Sequence, residues 1–366
     1  YDFWTGLPTN EQKRNGANFE ILSIQDAGWE HVKKFDIGVD LSLFNQVNIT
    51  FDYFHDVRDR ILMSRASWPI MLGYWGSTPW SNIGEVTNSG VELSLNWSKQ
   101  FGKDWAVDFR SNFTYNQNEY KYVDEPAYPY VWQTKTGKPL NTLTGYVAEG
   151  LFTSEEEIAN WADQSQLGTN IMPGDIKYKD ISGPDGVPDG KISSEYDRVC
   201  LGGSLPRYTF GVNFAASYKG FDLAMMFQGV GSQNVRINSN MIEGLRNNWC
   251  GFPSILEGNY WSVNNTDAEN AKAIYPRLTR NNIDSNMAMS DFWMFNGRYL
   301  RMKNLTLGYT LPSVLTKKIS MESVRFYVSG NDLFCLSKYP HGWDPEVSTN
   351  GYPITTSVLL GVSVNF

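Results

Sequence analysis

What most constrains this chain is a strict alternation of apolar and polar residues, in runs joined by connections of very unequal length. Phe35, Ile37, Val39, Leu41 and Leu43 alternate with Asp36, Gly38, Asp40 and Ser42, so an extended segment at 35–44 has one apolar face and one polar face. Past a tight turn at Asn45-Gln46, Val47, Ile49, Phe51 and Tyr53 resume the pattern against Asn48, Thr50 and Asp52, which predicts a hairpin. The rhythm returns in Val91, Leu93, Leu95 and Trp97, opposite Glu92, Ser94 and Asn96. Across Phe101-Gly102-Lys103 it continues through Trp105, Val107 and Phe109. A third hairpin pairs Phe210, Val212, Phe214 and Tyr218 with Phe221, Leu223, Met225 and Phe227 across Lys219-Gly220. Leu305, Leu307 and Tyr309 mark a further strand, Val324, Phe326 and Val328 the next, and Val358 to Phe366 the last. About nine or ten strands result, many exceeding the roughly 9 to 11 residues that cross a bilayer.

Connection lengths separate a membrane barrel from a soluble sandwich. They alternate short and long: Asn45-Gln46, then 58–84, then 100–103, then 118–205. Short turns on one rim and long loops on the other are the outer-membrane arrangement, whereas a sandwich spreads its loops more evenly and carries fewer acids and amides on its inward faces. The predicted fold is all-β, an antiparallel transmembrane β-barrel with short helices in long outer loops. The loops after Phe54, Asn118, Gln228 and Leu333 are expected outside the cell, and the turns at Asn45-Gln46 and Lys219-Gly220 in the periplasm. Mean hydropathy of −0.39 fits, because a barrel hides its apolar residues at every second position. No apolar run approaches the roughly 18 to 20 residues of a membrane helix. The link 312–322 reads as a helical turn. Thr153 to Ile158 reads as a capped helix in which Ser154 and Glu157 form a capping box and the acidic triplet is a solvated first turn. Aromatics at strand ends, Phe35, Tyr53, Trp97, Trp105 and Tyr218, read as an interfacial girdle.

Function classes narrow by exclusion. A net charge of −8 with no Lys/Arg cluster argues against nucleic acid. Cys200, Cys250 and Cys335 lie far apart without CxxC spacing, which removes zinc-ribbon and thioredoxin readings. His31, His55 and His341 form no catalytic constellation, and GxSxG, HExxH and phosphate-binding glycine loops are missing from the sequence. The chain is therefore expected not to be an enzyme. Trp68, Trp75, Trp80 and Trp132 sit in stretches dense with Gly, Pro and Tyr, where a ring can stack on a sugar or pack against a partner. A loop-stabilising mini-core is the other reading. Asp180 to Asp197 resembles a calcium loop: Asp180, Ser182, Asp189 before Gly190, the Lys191 carbonyl, and Asp197 or Glu195 are the oxygen donors. The inserted segment Pro184 to Pro188 departs from that spacing, and a Pro/Gly/Asp surface turn without an ion is the alternative.

Six stretches stand out: Asn88-Ser89-Gly90-Val91-Glu92; Gly145-Tyr146 with Gly150 to Ile158; Pro173 to Asp180; Pro206 to Gly211; Tyr299 to Tyr309; and Val328 to Phe334. Together they resemble the carboxy-terminal half of SusC/RagA-like TonB-dependent transporters of Bacteroidetes. The resemblance implies a 22-stranded barrel, a size of about 22 strands being that of plugged transporters. It also implies an amino-terminal plug, a SusD-like surface lipoprotein and energy supplied through TonB. The implied activity is import of a nutrient, an oligosaccharide or else a peptide, across the outer membrane. A siderophore or cobalamin receptor of the wider class is the runner-up, and a secreted glycan-binding β-sandwich the rival of another kind. Residues 1–366 are expected to be the carboxy-terminal part of one barrel, without plug or amino-terminal extension and taken from a longer precursor. The terminal Phe366 resembles a barrel-assembly signal.

Overall fold

The computed structural model describes residues 2–3, 14–15, 24, 27–69, 78–237, 253–279, 283–347 and 351–366. Nine long strands follow the alternating runs: β1 His31–Leu43, β2 Val47–Ser64, β3 Trp80–Phe101, β4 Trp105–Tyr122, β5 Tyr208–Tyr218, β6 Phe221–Gly231, β7 Tyr299–Thr310, β8 Ser323–Ser337 and β9 Ser357–Asn365. They make one sheet in which every strand lies beside its neighbours in sequence, with β1 and β9 at the edges. From β4 to β9 the neighbours run antiparallel, as in Val212↔Phe227 between β5 and β6 and Phe326↔Val362 between β8 and β9.

The two faces differ as the alternation requires. Ile37, Val39 and Leu41 of β1 and Val358, Leu360 and Val362 of β9 are exposed, a breadth of bare apolar surface that only lipid would cover. On the opposite face polar side chains bond to each other across strands. Thr50 donates to Asp40 at 2.6 Å and Ser42 to Asn48 at 2.8 Å. Asn304 of β7 donates to Ser329 and Asn331 of β8, and Asn331 in turn to Ser357 of β9. Rings cluster near strand ends: Trp105 stacks on Tyr218 with centroids 4.2 Å apart, Phe221 meets Tyr309 at 4.4 Å, and Trp97 meets Phe101 edge-on at 6.4 Å.

The short turns have a local cause. Lys219 and Gly220 both take positive φ, 47° and 89°, the two-residue turn whose twist suits a right-handed hairpin. The first turn spans 44–46 rather than Asn45-Gln46 alone, with Phe44 and Asn45 at φ 55° and 52°. The link 312–322 does hold a helical turn at Ser313–Thr316, continued by a 3₁₀ turn at Lys317–Ile319.

Strands β2 and β3 correct the expected loop at 58–84. They run 18 and 22 residues, so the connection shrinks to 65–79. The chain divides into two compact units, and the extra strand length falls in the first: residues 1–35, 55–88 and 118–139, with 36–54, 89–117 and 140–366 in the second. Around 55–64 the residues Asp56, Arg58, Asp59 and Arg60 interrupt the apolar periodicity, which is why the sequence reads as loop. In the first unit Lys33 pairs with Asp59 at 2.9 Å and Arg58 with Glu30 at 2.8 Å.

In the second unit the long connections build a core of their own. Short antiparallel pairs form between Thr142–Gly145 and Val199–Gly203, Ala148–Leu151 and Ile176–Tyr178, and Asn234–Arg236 and Met294–Asn296. Tyr146, Ile176, Tyr178, Ile192, Ile237, Leu256, Tyr275, Trp293 and Tyr339 pack into one buried cluster. They come from three connections that lie far apart in sequence.

Gly90, inside the Asn88 to Glu92 motif, shows how tightly the wall is built. A Cβ there would lie 2.1 Å from the Tyr115 carbonyl oxygen and 2.6 Å from the Phe54 ring, so only glycine fits beneath that ring. Overpacking of this kind costs about 1–3 kcal/mol. Gly90→Val is therefore expected to lower the urea midpoint of heat-modifiable migration in the full-length protein, while Gly137→Val, which faces open space but has φ +82°, leaves the barrel's midpoint unchanged.

Candidate functional site

The loop body is the chemically dense part of the second unit. Its anchor is Asp175, fully buried, which accepts from Arg277 Nη2 at 3.0 Å, from Asn286 Nδ2 at 2.8 Å and from the Met172 amide at 2.9 Å. A carboxylate taken wholly out of water is tolerable only with such a shell. Gly174 beside it has φ +89°, and a Cβ would fall 2.4 Å from the Trp261 ring. Ile176 and Tyr178 enter the core, and the Tyr178 hydroxyl donates to the Ser285 carbonyl at 2.7 Å. Burial pushes the Tyr178 phenol well above its ordinary value and Tyr339 to about 12, so both stay neutral at physiological pH.

The capped helix α1, Glu155–Ala159, departs from expectation. Ser154 Oγ does accept from the Glu157 amide at 3.1 Å. The Glu157 carboxylate instead reaches the Thr153 amide at 2.7 Å, the Thr153 hydroxyl at 2.8 Å and Lys177 Nζ at 2.5 Å. Burial raises its pKa, but Lys177 and Thr153 outweigh burial and hold the carboxyl below its ordinary value. The acidic triplet is thus not simply a solvated first turn: its third member clamps α1 to the strand Ile176–Tyr178.

A second charged cluster lies on the polar face of β7, where Tyr299, Arg301 and Lys303 meet the loop after β8. Arg301, almost fully buried, binds Asp344 at 2.5 Å and Glu346 at 2.8 Å. Lys303 bridges Glu346 at 2.9 Å and Asp332 at 3.1 Å, and the Tyr299 hydroxyl donates to Glu346 at 2.7 Å. A bulge makes this possible. Met226 and Phe227 of β6 face Asn304 and Met302, so Lys303 is the extra residue. Across β8 the register skips from Asn331 to Phe334 around Asp332, whose φ is 49°. Sequence reading missed these residues as a group; the alternation of Tyr299, Arg301 and Lys303 on one face was the available signal.

The four candidate tryptophans fare differently. Trp75 lies outside the described residues. Trp68 is half-buried with an indole N–H that is closed to solvent and finds no acceptor. Beside it, buried Asp124 accepts from Ser67 Oγ at 2.7 Å and Arg65 Nε at 3.1 Å. Burial pushes the Asp124 carboxyl up, but those donors win and hold it below its ordinary value. Trp132 is half-buried, its carbonyl accepting from Lys138 at 2.8 Å. Trp80, at the start of β3, keeps 45% of its surface open. The tryptophans that stabilise the loop body are others: Trp293, donating to the Asn286 carbonyl at 2.7 Å, and Trp161, donating to the Tyr178 carbonyl at 2.8 Å.

The residues read as a calcium shell, Asp180, Ser182, Asp189, the Lys191 carbonyl and Asp197, lie in a loop where the acids bond to backbone amides. Asp197 is fully buried and spends both oxygens on the chain itself, accepting from the Ile181, Ser182 and Ser193 amides at 2.8, 3.2 and 2.7 Å. Asp180 accepts from the Gly190 amide at 2.6 Å and Asp189 from the Lys191 amide at 3.0 Å. Among the described residues no three His, Cys, Asp or Glu side chains are arranged to hold a metal ion. The loop is closed by carboxylate-to-amide bonds.

Breaking a buried ion pair on one side costs about 3–5 kcal/mol. Asp175→Ala is accordingly expected to open the loop body to limited proteolysis while heat-modifiable migration of the barrel persists, and exposed Asp185→Ala is expected to match wild type.

Comparison with known proteins accords with this architecture. A family model described as TonB dependent receptor-like, beta-barrel matches residues 9–333. TonB-dependent receptor P3 of Formosa agariphila is 28% identical over 97% of this chain and 36% of its own length. TonB-dependent receptor SusC of Bacteroides thetaiotaomicron is 26% identical over 92% of this chain and 32% of its own. The chain thus spans about a third of these relatives. A structure of the RagAB peptide importer in the 'open-open' state shares the fold at TM-score 0.68 and 20% identity, covering 100% of this chain and 38% of that one. The alternating wall, its lipid-type outer face and the match across most of its length make one conclusion: the chain belongs to the TonB-dependent receptor-like β-barrel family of the outer membrane, a family of transport receptors and not of enzymes.

Proposed function

We propose that this chain is the carboxy-terminal wall and loop body of a SusC/RagA-type importer that moves an oligosaccharide across the outer membrane with a SusD-like lipoprotein, driven through TonB. The observation that carries the reading is the loop body itself. Three long connections joined by one apolar core and a buried Asp175–Arg277 pair make a preformed surface, and preformed surfaces hold ligands and partners at low ordering cost. Binding and gating, rather than bond chemistry, do the work. A peptide cargo is the second reading, supported by the fold shared with the RagAB peptide importer. The plug and the TonB-contacting segment are assigned to the remaining two thirds of the full-length protein. The long loops are assigned to the cell exterior and the short turns to the periplasm.

Trp80 is the proposed ligand contact among the four tryptophans, because it is the most open of the three that the structure describes. An aromatic stacking contact contributes about 0.5–1.5 kcal/mol, so Trp80→Ala is expected to weaken oligosaccharide binding by the full-length complex up to about tenfold. Unchanged affinity removes Trp80 from the site. A tag on the full-length receptor is expected to recover a SusD-like lipoprotein in near-equal amount under mild detergent, and recovery of receptor alone contradicts the pairing. On intact cells, an impermeant thiol reagent is expected to label Val263→Cys, which is 80% exposed, and to spare Asn45→Cys. The reverse pattern inverts the topology.

A further inference from the structure

We propose that the outward face of β6 to β9 holds one anionic glycerophospholipid of the periplasmic leaflet, its acyl chain in a groove and its phosphate against lysines of the adjoining short links. The groove has a volume of about 490 Å³ and is walled by Phe221, Leu307, Tyr309, Phe326, Leu360 and Val362. These residues lie opposite one another in register: Phe221↔Tyr309, Tyr309↔Phe326 and Phe326↔Val362 form one row, and Leu307, Val328 and Leu360 the next. Both rows fall on the apolar side of the sheet, away from the Arg325–Asp222 pair on the polar side. The volume lies within the range of small-ligand sites. A groove lined mainly by hydrocarbon and rings, with Gly308 and Gly361 between the two rows, suits an acyl chain on a face turned to the membrane.

Charge at the same end supplies the second half of the argument. The Lys219-Gly220 turn immediately precedes Phe221, and Thr310 bonds back to Gly220 at 2.8 Å. The link between β7 and β8 follows at once, and it is amphipathic. Val314 and Leu315 are exposed apolar residues, while Lys317 and Lys318 are exposed and enter no ion pair among the described residues. Lys219 approaches exposed Asp104 at 3.8 Å and lies over the Tyr218 ring, 5.2 Å from its centroid, both contacts at the surface. Three lysines thus cluster where a headgroup would lie if a chain filled the groove, and long lysine side chains reach outward from a membrane edge to a phosphate. Aromatic rings at the groove mouth, Phe221 and Tyr309, mark the interfacial level.

The proposal rests on the reading that the short links face the periplasm, but its test does not. The full-length receptor in mild detergent is incubated with phosphatidylglycerol or phosphatidylcholine, and retained lipid is counted by native mass spectrometry. Wild type is expected to keep one phosphatidylglycerol and to hold phosphatidylcholine less well. Each surface lysine affects anionic-lipid binding about fivefold, so a Lys317→Glu, Lys318→Glu variant is expected to retain at least about fivefold less. Leu360→Trp, filling the groove, is expected to lose the lipid as well, with Leu41→Trp on the outward face of β1 as the unaffected control. Heat-modifiable migration verifies that each variant is folded. Retention at wild-type level in the lysine variant or in Leu360→Trp, equal loss in the control, or indifference to headgroup charge overturns the proposal.

Discussion

In a bilayer core no water is present to satisfy a peptide N–H or C=O, so a chain that crosses it by strands must give every such group a partner strand. The meander of β1 to β9 meets that requirement with the least entanglement, each strand bonding to its neighbours in sequence. Everything else in the wall follows. Side chains alternate between lipid and interior, glycine appears where a ring or carbonyl from the next strand occupies the space of a Cβ, as at Gly90, and polar residues on the inner face bond laterally, as in the Asn304, Ser329, Asn331 and Ser357 series. The edges β1 and β9 carry unpaired backbone groups in this span.

Away from the strands the governing constraint reverses. Long loops in water would remain mobile unless they buried apolar area, and here they bury it against one another. The buried Asp175 carboxylate bonds to segments 102 and 111 residues away, while Arg301 binds a loop 43 residues on. Such pairs are costly to desolvate and gain little net stability over apolar packing. Their consequence is geometric: one register between loops satisfies the charge and others strand it. This links packing to function, because a receptor loop body that is held in one arrangement presents one surface to ligand and partner.

The wall was largely legible in the sequence, and the loop body was not. A period of two reports the strands directly in β1, β5, β6 and β9, where one face meets lipid. It fades in residues 55–64 and 80–88 of β2 and β3, where Asp56, Arg58, Asp59 and Arg60 break the apolar side and the first residues of a 22-residue strand were read as the end of a loop. Motif residues such as Gly174, Asp175 and Tyr178 were visible as a pattern, yet their physical roles depend on Trp261, Arg277 and Ser285, which periodicity cannot bring together. Composition identified the tryptophans without ranking them by burial, so Trp293 and Trp161, which hold the core, went unnoticed beside Trp68 and Trp132. The Asp180 to Asp197 loop shows the same limit: the spacing of its acids was visible, but the amides that Asp180 and Asp197 accept from were not.

The central claim is that the long loops form a fixed body with a core of its own rather than a set of independent flexible flaps. Amide hydrogen exchange on the full-length receptor in lipid nanodiscs addresses it most directly. The account predicts that the amides of Ile176, Tyr178 and Ile192, bonded to Asn286, Gln164 and Asp163, are protected to a degree comparable with those of β5 and β6, without ligand or partner present. Exchange of these three amides at rates typical of an open loop, with β5 and β6 still protected, would contradict it.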